Sequence, residues 1–141
     1  MTEPIDTPTT VTFKRWPLGG DATDTYDVRS LLVERTWCST LGPTSLLLLR
    51  LVADLLAHTD TVKVEAVDLA QLLGVGGGNS KCGVLANSLG RLERFGAAQQ
   101  VEAGTWAVRS RLPSPSDRQL AHHGALVRAF HLLLTSRPPA G

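Results

Sequence analysis

Cysteine is scarce in this sequence: there are two, Cys38 and Cys82, far apart and in neither a Cys-x-x-Cys nor a zinc-ligand spacing. They predict two small buried residues of a reducing cytosol, with a disulfide between them left open. Long apolar runs are missing as well. The longest, Leu46 to Leu49, falls far short of the roughly 20 residues that a membrane helix needs. The start, MTEPIDTPTTVTF, carries acids and prolines around no apolar stretch, which is not the pattern of a signal peptide. Charge of either sign is thin: 19% of residues are charged and the formal net charge is +1, so neither a basic nor an acidic tail is present. Lysine is rare, three against eleven arginines, and with abundant alanine and leucine this is the bias associated with GC-rich bacterial genomes. Signatures of catalysis are absent: no P-loop, no Gly-x-Ser-x-Gly, no paired acids at a working spacing, no His-Glu-x-x-His. GVGGGN (residues 74–79) is glycine-rich but lacks the Lys-Ser/Thr of a phosphate loop and reads as a turn. The expectation is a cytoplasmic protein with no membrane partner, no enzymatic activity, no cofactor and no metal.

What is present is one ordinary domain's worth of chain, 141 residues, with 43% hydrophobic residues to build a core. The first ten residues are rich in Thr and Pro and predict disorder. Val11 to Trp16 (VTFKRW) alternates as a short strand does, and 17–27 reads as a loop. Val28 to Trp37 fits either a strand or a short helix. Pro43 suits the first turn of a helix running to about His58. Its polar residues Arg50, Asp54 and His58 fall in one narrow stripe, so this should be the buried central helix. Thr61 to Glu65 alternates as a strand. Asp68 with Gln71 has the form of a capping box for a short helix ended by Gly74. Asn79 can cap the next helix, which runs to Phe95 and is closed by Gly96. Ala98–Glu102 and Thr105–Arg109 predict a β-hairpin turning at Gly104. Pro113 and Pro115 break the chain. Ser116 with Gln119 is a second capping box, opening a helix to about Thr135, and SRPPAG is a tail.

From Pro43 the order is helix, short strand, short helix, turn, helix, hairpin. Two stretches carry a family likeness. VDLAQLLGV has Leu69, Ala70, Leu72, Leu73 and Gly74 where the second helix of MarR-type and related winged-helix regulators has such residues. LANSLGRLERFGAAQQVEAGTWAVR resembles their recognition helix running into the wing, with a leucine–basic–leucine–acidic–basic–aromatic–glycine ending from Leu89 to Gly96. The resemblance covers about half the chain. It departs from the pattern in a longer glycine-rich turn and in two glycines, Gly83 and Gly90, inside the recognition helix. It implies an α+β, mainly α fold: a winged helix-turn-helix at 43–111, with an N-terminal extension (1–42) and an added C-terminal helix and tail (112–141).

Helical geometry puts Cys82, Leu85, Leu89 and Leu92 on one face, to pack on the central helix. The opposite face carries Ser80, Gly83, Asn87, Gly90, Arg91 and Arg94, with Lys81 and Ser88 at its flanks. Arginine can grip guanine, and asparagine adenine, with paired hydrogen bonds, while Ser and Lys suit phosphates. A merely solvated helix face would look similar. Gly83 and Gly90 suit either close approach of a partner backbone or drift. From Lys81 to Arg111 five basic residues face two acidic ones, a local net of +3, whereas residues 1–30 sum to −2. Arg109 and Arg111 fall at or just past the wing, within reach of phosphates or the minor groove. The candidate DNA contacts are therefore Ser80, Lys81, Asn87, Ser88, Arg91, Arg94, Arg109 and Arg111, with Asn87 and Arg91 favoured for bases. In the C-terminal helix Leu120, Val127, Phe130 and Leu134 form a stripe that must be buried on its own domain or, as preferred here, on a second subunit. His122, His123 and His131 there have no metal-ligand spacing. The reading is sequence-specific binding of double-stranded DNA by a dimeric, nucleoid-associated bacterial regulator. Its rivals are a winged-helix protein-docking module and an accessory protein of replication, partition or mobile elements.

Overall fold

Pro43 opens the central helix as the sequence suggests, occupying the first helical position where its missing N–H is not needed. In the computed structural model, which describes residues 10–16, 25–75 and 81–135 less the side chains of 81 and 82, this helix is α2 (Pro43–Leu55). It buries Ser45, Leu46, Leu48, Leu49, Val52 and Ala53. Two residues of its polar stripe form ion pairs, while His58 lies exposed beyond the end of the helix. Arg50 donates to the Glu34 carboxylate at 2.7 Å, and Asp54 accepts from Arg29 at 3.0 Å. The expected disorder of the first residues, residues 17–24 of the loop expected at 17–27, residues 76–78 of the glycine run, the Asn79 cap and the tail after Thr135 lie outside the described residues, whereas 25–27 form a strand.

Preceding α2 are β1 (Thr10–Arg15), β2 (Thr25–Asp27) and α1 (Leu31–Leu41). The ambiguous segment after Val28 is thus a helix. Ser30 decides it, its hydroxyl accepting from Val33 N as an N-cap. After α2 come β3 (Thr61–Glu65) and α3 (Ala66–Leu73). The capping box expected at Asp68 and Gln71 does not form. The N-cap is Glu65, three residues earlier and without a side-chain cap, and Asp68 sits inside the first turn, where a negative charge suits the helix dipole. Gly74 ends the helix in the left-handed conformation, as expected.

The chain continues as α4 (Lys81–Arg94), β4 (Ala98–Glu102) and β5 (Thr105–Val108). The hairpin forms, with a register irregularity between Gln100 and Glu102. A strand that the sequence reading lacks follows: β6 (Arg111–Pro113) pairs antiparallel with β2. Ser116 and Gln119 make the expected capping box, but the C-terminal helix is two helices, α5 (Asp117–His122) and α6 (Ala125–Thr135), separated at Gly124 with φ 96°.

The architecture is α+β, six helices among the described residues around a small mixed sheet of order β3-β1-β5-β4. β1 lies inside that sheet, antiparallel to β3 and parallel to β5, so residues before Pro43 belong to the same core as those after it. Val11, Phe13, Val33, Trp37 and Leu41 are buried with Leu48, Leu49, Leu69, Leu89 and Leu92. α6 packs on α1, with the Arg35 guanidinium 4.8 Å from the Phe130 ring. Its stripe is therefore covered by its own chain, although no α6 residue is fully buried and Leu126 and Leu133 remain 72% and 58% exposed. Among the described residues no helix is long and apolar enough to cross a membrane.

Candidate nucleic-acid interface

α4 turns Leu85, Leu89 and Leu92 into the core against α2 and α3. Ser88 goes with them. It is 7% exposed, and its carbonyl accepts from the Ser45 hydroxyl at 3.2 Å. The expectation that Ser88 flanks an outward face is corrected: it lies three residues from Leu85 and four from Leu92, on the seam that faces α2. Outward remain Gly83, Ala86, Asn87, Gly90, Arg91 and Arg94. A Cβ at Gly83 or Gly90 would meet nothing within 4 Å, so that surface is open. Ser80 and the side chain of Lys81 lie outside the described residues.

The C-terminal half of this face runs into a cleft of about 610 Å³ between α4, the end of α1 and α5. Arg91 is held at its edge by its Nε, which donates to the Thr40 carbonyl at 3.2 Å in the last turn of α1. Arg94 leans over the Phe95 ring at 5.6 Å. Across the cleft α5 contributes Arg118 and His122, and its C-cap contributes His123. The His123 Nε2 lies 3.0 Å from the Thr40 hydroxyl, and the two imidazoles meet edge to face at 5.3 Å. Among the described residues the lining contains no carboxylate. The acid of this stretch of α4, Glu93, instead accepts from the Gln100 backbone N–H of β4 at 3.1 Å. Three guanidinium groups and two imidazoles around a cleft without an acid attract anions, and the arrangement can hold phosphate oxygens through charge-assisted hydrogen bonds.

Two predicted contacts are placed elsewhere. Arg111 donates through Nε and Nη2 to the Thr25 hydroxyl and carbonyl, at 3.0 and 2.7 Å, and so ties β6 to β2. The Arg109 guanidinium stacks 4.6 Å from the Trp16 ring. Both line a second cavity that shares no residue with the cleft, at the base of the hairpin rather than its tip. The structure thus brings Arg91 and Arg94 together, leaves Asn87 outward on the same helix, and separates Arg109 and Arg111 from all three. It adds Arg118, His122 and His123, which the sequence offered only as helix positions or failed metal ligands. Among the described residues no group of three or more His, Cys, Asp or Glu could hold a metal ion. The one signal for Arg118 was its place just after the Ser116 cap, which fixes where α5 starts.

No known protein family matches the chain, and neither does any curated protein or solved structure.

Proposed function

We propose that this chain is a winged helix-turn-helix protein that binds double-stranded DNA through α4, as a bacterial transcriptional regulator working on the nucleoid. The observation that carries the reading is the acid-free basic cleft at the end of an exposed, open-surfaced helix. The element order from α2 to β5 supports the fold assignment: helix, strand, helix, helix, hairpin, with β1 as an addition inside the sheet. Asn87 is the candidate for base contact in the major groove. Arg94 and Arg118 are candidates for phosphates. Arg91, tethered through Nε to Thr40, is better suited to a phosphate at the cleft edge than to a base, because its guanidinium is already oriented by α1. The exposed leucines of α6 favour a protein contact as well, and we assign that face to a homodimer interface.

Fluorescence anisotropy with random duplex DNA at about 50 and 200 mM salt tests the reading, since each phosphate contact adds roughly 0.9 to the salt slope. Wild type should lose affinity steeply over that range, and Arg91→Ala/Arg94→Ala should bind weakly with a shallower slope. If wild type does not bind duplex at the lower salt, the reading fails and a protein-docking role takes its place.

A further inference from the structure

The second cavity, about 430 Å³, lies between the end of β1, the end of α2 and the β5–β6 connection, away from α4. Four arginines border it. Three are committed. Arg15 donates to the Leu56 and Ala57 carbonyls and pairs with Asp60. Arg29 is held by Asp27 and Asp54. Arg111 is bonded to Thr25. Arg109 differs: among the described residues its guanidinium is engaged by the stack on Trp16. Its Nε and the Trp16 indole Nε1 are both buried and have no hydrogen-bond partner among the described residues. Buried donors without acceptors are costly and rare, and two of them on residues lining one cavity leave a place there for an acceptor. Ala53, Leu56 and Val108 supply an apolar wall to the same space, whose volume falls in the range of small-molecule sites.

We propose that this cavity binds a small organic acid. Its carboxylate would accept from Arg109 and from the Trp16 indole N–H, and its short apolar body would lie against Leu56 and Val108. A carboxylate matches a planar guanidinium with parallel hydrogen bonds, and two or three free donors are enough for it. A phosphate dianion needs more. The site stands whatever α4 binds.

The Trp16 indole N–H reports binding directly in ¹H–¹⁵N NMR spectra of the full chain. Trp37 provides the control, because its indole already donates to the Pro113 carbonyl. The probes are hexanoate, the neutral isostere hexanamide and inorganic phosphate. Hexanoate is expected to shift the Trp16 indole signal downfield in a saturable way and to leave that of Trp37 in place, while hexanamide moves neither signal. Arg109→Gln should weaken hexanoate binding by about tenfold or more. Should that variant fail to fold, Trp16→Phe, which keeps a ring under Arg109 and removes only the donor, should weaken hexanoate binding measured by calorimetry. A silent Trp16 signal, an equal response to hexanamide, or a response to phosphate alone would overturn the proposal, the first pointing to ordered water as the missing partner.

Discussion

Arg94 and Arg111 read alike in the sequence and differ in what their guanidinium groups can still do. Arg111 spends two donors on Thr25, so Arg111→Met should destabilise the fold by about 1–2 kcal/mol in denaturant unfolding and leave DNA affinity near wild type. Arg94→Ala should do the reverse. Acid sensitivity is set at the same scale. Arg50, and after it Arg35, holds the Glu34 carboxyl below the usual carboxylate range, and Arg29 does the same for Asp27. These groups stay ionised in the fold at a pH where the unfolded chain has begun to take up protons. Their contribution is therefore complete above the unfolded pKa and is lost as pH falls through the folded one. Glu34→Gln should flatten the acid limb of the stability–pH curve. The effect should stay within about 1 kcal/mol, because these side chains are well exposed to solvent. Individual roles were the least legible part of the sequence. Ser88 looked like a flank and is core. Arg111 looked like a wing cation and is a strut, because its partner Thr25 lies far away in the chain.

Local signals specify elements well when both halves of the signal sit within one turn. Ser116 with Gln119 is such a case, and the box forms. Asp68 with Gln71 has the same form but loses to an earlier start at Glu65, where β3 runs straight into the helix. β2 and β6 escaped sequence reading because each is three residues long and gains its identity only from the other. The C-terminal helix was expected whole, and Gly124 with its positive φ divides it. Gly83 and Gly90 are different: they are helical, outward and unobstructed. Gly83→Ala and Gly90→Ala should each stabilise the protein by about 0.5–1 kcal/mol, seen as a higher melting temperature. If duplex affinity falls in the same variants, the two glycines give a DNA backbone room to approach. If it holds, they carry no binding role.

On the scale of the molecule, what was visible beforehand was the α+β class, the order of elements from α2 to β5 and the buried face of α4. What was not was the placement of the first strand and the meeting of α4 with α5, since both depend on contacts between distant parts of the chain. The outward leucines of α6 lead to a prediction about assembly. Leu126→Glu with Leu133→Glu should convert the proposed dimer to a monomer in sedimentation, with little change in melting temperature, because both side chains are exposed in the single chain.

The placement of β1 also governs the order in which the protein can be made. Phe13 pairs in register with Trp106, so β1 must wait for β5, which is synthesised after α2, α3 and α4, before its sheet can close. Until then β1 has β3 as its strand neighbour and its other edge is unpaired. Such long-range closure is slow compared with the local formation of α2 or α4. The nascent chain should therefore hold its helices early and its sheet late, with the N-terminal strand as the piece most in need of protection in between.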